Sequence, residues 1–415
     1  MTQGSPEQVA SLAAATGPLA GWQGRSRQVF TLALVYTIGL GSMAMVGMLS
    51  PLTAIVARDF SSAPAAIGWT ISLFSLPAAI TSTLGGGLVD RLGPRRVLLL
   101  APLLLALADF LMIKAPTLWL FDFAMVLAGL AYVGVLNGGA AMLMTSLEGS
   151  LRARGLALWA TYAPAGFSAG LLLSAMIAQW ADWRIAFAAH GVVMLACALG
   201  AVVLPQVASA ARRDGLTPFA RLKMGLSSPV LLLLALAAAL PNMISYGTSL
   251  VAAGYLAQTR GVSLAASAGI VAGAKIIAVL AGSTVTGALL ARRTAPLRLY
   301  FIMAMVGALA QVLLFFPASP LALAVAGLMA WIFAFGALSG ICMALLPQVA
   351  ERAGGAGQAA GIVNQFVSLA SFLTPTIYFG VSGWHAYVAV AVAGLAVAQI
   401  ALRRAGVMAR GGLTA

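Results

Sequence analysis

GGGLVDRLGPRR, residues 85–96, sets one acid, three arginines and four glycines between two long apolar runs. Such a stretch is ordinary in a soluble protein, but this chain of 415 residues is 62% hydrophobic and only 8% charged, with a mean hydropathy of +1.02. Those values lie outside the soluble range and define an integral membrane protein, so the stretch reads as a turn between two membrane spans. The net charge of +14 would point to nucleic acid only if the basic residues clustered on a soluble domain. They fall instead in short gaps between apolar runs, where they report orientation. Cys197 and Cys342 sit inside such runs, far apart, and read as small core residues without disulfide or metal spacing.

A bilayer core of about 30 Å needs roughly 20 helical residues. Twelve apolar stretches meet that requirement, at 29–56, 66–88, 97–113, 118–144, 156–179, 185–205, 229–256, 264–290, 298–316, 320–346, 358–380 and 385–404. The longest polar gap, 206–228, divides them into two sixes. The predicted organisation is a tail at 1–28, a six-helix bundle at 29–205, a central loop at 206–228, a second bundle at 229–404 and a tail at 405–415. With Lys275 set apart as mid-span, 18 of the 23 basic residues fall on the side that holds both termini. The other side has Arg58, Lys114, Arg184 and Arg260. This bias predicts cytoplasmic termini in a multi-pass cell-membrane protein, the inner membrane if the source is bacterial. Arg25 and Arg27 follow the mildly apolar part of the first 28 residues, the wrong order for a cleaved signal peptide.

Landmarks recur at an offset of 201 residues: Gly86, Asp90 and Arg91 correspond to Gly287, Ala291 and Arg292, and Trp183–Arg184 to Trp384–His385. Two six-helix halves repeated in one orientation imply a pseudo-two-fold axis along the membrane normal and a cavity between them. Small residues one turn apart, Gly134 with Gly138 and Gly269 with Gly273, are expected at close helix crossings.

In this setting Gly86, Asp90, Arg91, Gly93, Arg95 and Arg96 resemble the GxxxDRxGRR motif between spans two and three of the major facilitator superfamily, with Pro94 in place of the usual arginine. The resemblance extends to twelve spans, the basic central loop, the degenerate second copy GALLARRTAPLR and Trp183–Arg184 before span six. It implies a secondary transporter with an all-α, twelve-helix membrane fold, in which the motif latches the cytoplasmic side of the outward-facing state. Physical chemistry gives the latch a mechanism: a carboxylate at Asp90 beside the first turn of span eleven, near Gln358, gains about 0.3 to 1 kcal/mol from the helix dipole. Solvated positive-inside arginines explain Arg95 and Arg96 equally well, but not Asp90.

A charge deep in a span costs about 2.5 to 3.5 kcal/mol on the insertion scale and so faces a cavity or a partner. Lys275 is the one basic residue near mid-depth, and no acid occupies the middle of any predicted span. The expected partner is an anionic substrate, with a structural pairing to Asp109 or Asp122 as the alternative. Polar side chains at similar depth are further substrate-contact candidates: Tyr36, Tyr132, Asn137, Asn242 and Tyr246, with Asn364 and Gln365 nearer the cytoplasm. Many such residues serve only as helix–helix hydrogen bonds. Trp331 and Phe335 are candidate cavity aromatics, and Pro241 is a candidate for loosening span seven. His190, with Asp109 and Asp122, is a candidate proton relay, against a structural role for a hydrogen-bonded histidine.

GFSAG, residues 166–170, fits the GxSxG nucleophile pattern, but Ser168 lies inside a predicted span rather than a strand-to-helix turn, so it reads as helix packing. With no Walker A motif, direct ATP hydrolysis is not expected either. The predicted protein is no enzyme, needs no cofactor or metal, binds no nucleic acid and works as a monomer in the lipid bilayer. Its expected activity is alternating-access transport, symport or antiport, of a small organic anion, with a co-transported ion as a candidate second cargo. Proton-coupled efflux of amphipathic or drug-like compounds is the alternative, weakened because TYAPAGFSAGL lacks the proline of the superfamily's GxxxGPxxGG pattern and Met125 stands where an arginine is frequent. A transporter-like receptor is the remote third reading.

Overall fold

The computed structural model describes residues 24–81, 89, 92–159, 161–206, 227–292, 294–350 and 356–411, and every regular element among them is helical. In chain order the helices are α1 (Arg25–Asp59), α2 (Pro64–Thr81), α3 (Pro94–Lys114), α4 (Leu118–Ser146), α5 (Gly149–Trp159), α6 (Tyr162–Ile177) and α7 (Arg184–Ala201). The second half contains α8 (Pro229–Arg260), α9 (Leu264–Ala291), α10 (Pro296–Phe315), α11 (Leu321–Ala350), α12 (Ala356–Gly380) and α13 (Trp384–Gly411). Eleven of these are long and apolar enough to cross a membrane, and α6 is a shorter apolar helix. Helices dominate because each backbone donor and acceptor in hydrocarbon must be satisfied within its own segment.

Local chemistry sets the ends. Gly93 adopts φ 80°, a conformation that costs glycine little, and Pro94 then starts α3 where its missing N–H would have had no helical partner. Ser228 caps α8 by accepting from the Leu231 amide at 3.4 Å, and Ser263 caps α9 by accepting from Ala266 at 3.2 Å. The predicted fifth span is the segment that differs most: α5 and α6 are separate helices, with Thr161 in a turn between them. Pro241 does not break α8, which runs continuously from 229 to 260.

Each half is held by close backbone crossings. A methyl added at Gly166 would stand 2.2 Å from the carbonyl oxygen of Leu40, and one at Gly170 would stand 2.0 Å from that of Ala44. GFSAG is therefore the contact face of α6 on α1, a helix-packing motif. The expectation for Gly269 and Gly273 is corrected: a methyl added at Gly273 would meet nothing within 4 Å, and one at Gly269 only Leu172 at 3.9 Å. Neither glycine abuts a neighbouring backbone as Gly282 of the same helix does, where an added methyl would stand 2.0 Å from the Phe333 carbonyl of α11.

The end of the bundle opposite the start of α1, here the far end, is stapled within each half. Trp183 Nε1 donates to Asp59 Oδ2 at 2.7 Å and Arg184 Nη1 reaches the same oxygen at 2.9 Å, tying α7 to α1. In the second half the Arg260 guanidinium donates to the carbonyls of Phe316, at 2.6 Å, and Pro317.

Contacts between the halves gather toward the far end. Ser50 of α1 donates to the Leu250 carbonyl of α8 at 2.8 Å. The hydroxyls of Ser72 in α2 and Thr376 in α12 lie 2.9 Å apart, and Trp69 packs edge-on against Phe372. Ser168 of α6 reaches the Ala272 carbonyl of α9 at 3.5 Å.

Candidate central cavity

Above this seam, on the side toward the chain's N-terminal helix start, the halves diverge around a cavity of about 330 Å³. The first half contributes Met43, Phe74, Ser75, Ala78, Tyr132, Ala163, Pro164 and Phe167. The second contributes Asn242, Ser245, Tyr246, Lys275, Val279, Phe335, Val367, Ser368 and Ser371. A smaller space of about 120 Å³ adjoins it through Asn242, Phe335 and Val367, and adds Ser339, Cys342 and Asn364. A third cleft, about 430 Å³, lies apart between the start of α3 and the end of α7, at Gly93, Arg95, Arg96 and Val202. It is larger in volume, but among the described residues its lining comes from the first half, so alternation between halves would not gate it.

Lys275 projects from α9 into the central cavity with its Nζ 4.0 Å from the centroid of the Phe167 ring. Among the described residues no carboxylate lies within ion-pair distance of it, which removes Asp109 and Asp122 as its partners in this state. Tyr132, Asn242 and Tyr246 line the same space, as expected, and Asn242 donates to Ser371 Oγ at 3.1 Å. Asn364 lines the adjoining space.

Other expectations are corrected. Trp331 is fully buried, with its ring filling the room that Gly307 leaves on α10, and Phe335 one turn on is the aromatic that reaches the cavity. Tyr36 pairs with Thr161 at 2.8 Å, Asn137 donates to the Val133 carbonyl of its own helix at 2.9 Å, and neither lines the cavity. Gln365 lies off the cavity wall as well, with Oε1 buried and without a hydrogen-bond partner. The residues that sequence reasoning missed are Phe74, Ser75, Phe167 and Ser371. Apolar or small, they carry no signal in an apolar run, and only helix rotation brings them inward.

The acid–histidine group is a pin, not a chain leading to the cavity. His190 Nδ1 lies 2.7 Å from Asp109 Oδ2 and Nε2 lies 2.9 Å from the Gly41 carbonyl, joining α7, α3 and α1. That carbonyl can only accept, so Nε2 carries a proton. One further proton lies between Nδ1 and Oδ2, and the pair is net neutral whichever atom holds it. Asp122 is engaged elsewhere, accepting from Thr70 at 2.6 Å. Of the motif residues, Gly86, Asp90 and Arg91 lie outside the described residues. Arg95 donates to the Val202 carbonyl, fastening the start of α3 to the end of α7.

Among the described residues, eleven spanning helices and one shorter apolar helix form two like halves around a central cavity into which Lys275 projects, the architecture of a duplicated membrane bundle. The chain belongs to the Major Facilitator Superfamily, whose sequence profile it matches over residues 29–375, and is accordingly a multi-pass membrane protein. It is 27% identical over 166 residues to the niacin transporter NiaP of Acinetobacter baylyi, covering 39% of this chain and 38% of that protein. It is 31% identical over 170 residues to the inner membrane transport protein YnfM of Escherichia coli, covering 41% and 40%. The chain thus spans about two fifths of the length of these curated relatives. In fold it is similar to the nucleoside transporter NupG, with a TM-score of 0.72 at 14% identity over 90% of this chain and 99% of that one. A bacterial homologue of the human lysosomal transporter Spinster gives 0.68 at 15% identity over 93% and 97%.

Proposed function

We propose that the cargo is a small organic anion, a carboxylate, held at the central cavity with Lys275 as its charge partner. The observation that carries this reading is a cation on the wall of a cavity shared by both halves, with no carboxylate of the described residues beside it. An ammonium left without a counter-ion at this depth is costly, and a bound carboxylate would offset that cost. Phe74, Phe167, Phe335, Tyr132 and Tyr246 offer flat apolar faces around it, which favours an anion carrying a planar ring. The niacin transporter among the relatives makes nicotinate a sensible first probe.

The same aromatic walls support a second reading, efflux of amphipathic or drug-like compounds. A thermal-shift comparison of purified protein with nicotinate, benzoate, their uncharged amides and amphipathic cations separates the two, since specific ligands raise apparent stability. Stabilisation by the acids but not the amides, lost in Lys275→Gln, is the expected result. If Lys275→Gln transports every accepted anion at the wild-type rate, the charge-partner role is wrong.

The positive-inside bias supports cytoplasmic termini, the inner membrane transport protein among the relatives supports a bacterial inner membrane, and the motif resemblance supports Gly86, Asp90, Arg91, Gly93, Arg95 and Arg96 as a cytoplasmic latch between halves. The domain limits proposed from the polar gaps fit this arrangement. A monomer completes the cavity from its own two halves. Coupling to a second ion, if Asp109 and His190 take part, acts through helix packing, since the pair lies off the cavity wall.

A further inference from the structure

We propose that Phe167 is the resting partner of Lys275: its ring holds the ammonium across the seam between the halves while the cavity is empty, and an anionic cargo draws Lys275 away and loosens that seam. The contact joins α6 of the first half to α9 of the second, with Nζ 4.0 Å from the ring centroid, a distance at which the ring quadrupole attracts a cation strongly when water is excluded. Phe167 itself cannot yield. It is fully buried, its carbonyl lies 2.1 Å from where a Cβ on Gly47 would stand, and its ring edge meets Tyr246 of α8.

Lys275 is the movable member, a long side chain whose ammonium meets the ring and no carboxylate among the described residues. Beside it, Ser168 Oγ reaches the Ala272 carbonyl at 3.5 Å, and Leu172 lies 3.9 Å from where a Cβ on Gly269 would stand. The cation–ring contact is the one that places a charge between these two helices. A carboxylate offers the ammonium a full charge in place of a quadrupole, so occupancy of the cavity and separation of α6 from α9 become one event. The role of Phe167 in the empty protein stands independently of the cargo; only the release step rests on the reading of the cavity as an anion site.

The test uses the full-length protein with Cys197 and Cys342 replaced by alanine and spin labels at Gln179 and Gln258, exposed far-end positions on opposite halves. In the empty protein, Phe167→Leu should raise the ratio of long to short interlabel distances by about threefold. Lys275→Arg, which keeps the cation, should retain the original distribution, whereas Lys275→Met should shift it as Phe167→Leu does. Phe167→Leu should also change nothing further in a Lys275→Met background. An unchanged distribution in Phe167→Leu, or the same shift in the presence and absence of Lys275, overturns the proposal by showing that the ring acts through packing alone. Benzoate added to the wild-type protein should reproduce the Phe167→Leu distribution. If the empty-protein cycle behaves as expected and neither benzoate nor nicotinate moves the distances, the release step fails and the anion reading with it, while the resting contact stands.

Discussion

At the residue scale, Asp109 and His190 show how a charge-bearing pair survives in hydrocarbon. Both are almost fully buried, at 1% and 4% exposure, yet the fixed proton on Nε2 and the shared one at Nδ1 leave no net charge. Removing one partner strands the other, and breaking a buried pair typically costs about 3 to 5 kcal/mol. Asp109→Ala should therefore lower the unfolding temperature in detergent far more than Asp122→Ala, whose carboxyl is only half-buried and accepts from a single threonine. Equal shifts for the two variants would contradict the pin. Lys275 is legible in the sequence because a lone charge in an apolar run has few explanations. Trp331 is not, because mid-depth aromatics look alike until the rotation of the helix is known, and here that rotation is set by a glycine on another element, Gly307.

Among the elements, glycine spacing alone does not distinguish contact from open space. Gly166 and Gly170 abut backbone oxygens of α1, whereas Gly273 has an empty neighbourhood. Gly170→Ala should destabilise the protein or prevent its insertion, while Gly273→Ala should be neutral or stabilise by up to about 1 kcal/mol, as expected for alanine over glycine inside a helix. Thermal unfolding of the two variants side by side decides the point. Span number and order are readable because bilayer thickness fixes helix length, and the spread of arginines in the gaps gives an independent check. The turn at Thr161 is not readable. The sequence around it, LALWATYAPAG, is continuous in hydropathy, and the proline that follows is tolerated within the first turn of α6.

For the whole molecule, the duplication is visible in both sequence and packing, and so is its asymmetry. Gln311, 202 residues after Asp109, pairs with Thr248 at 3.1 Å, and Ala391 stands 201 residues after His190. The first half thus pins its helices with an ionisable pair where the second uses a neutral amide and hydroxyl. Alternation requires the far-end seam to part, so a cysteine pair at Ser72 and Thr376, whose hydroxyls are 2.9 Å apart, should cross-link under mild oxidant and stop transport until reduced. Transport that continues in the cross-linked protein would show that this end stays shut throughout the cycle. Asp90→Asn should shift cysteine accessibility toward the arrangement described here, closed at the far end, and an unchanged pattern would argue against the latch.

The seam also bears on the conditions under which the protein works. Its cross-half bonds at the far end join uncharged hydroxyl, carbonyl and backbone amide groups, through Ser50, Ser72 and Thr376, and none of the ion pairs among the described residues crosses between the halves. Neutral contacts are not screened by dissolved salt, whereas exposed ion pairs are weakened once the Debye length shrinks to about 10 Å or less. Opening this end should therefore proceed at nearly the same rate in dilute and in concentrated salt, making that step tolerant of swings in the ionic strength of the medium that bathes it.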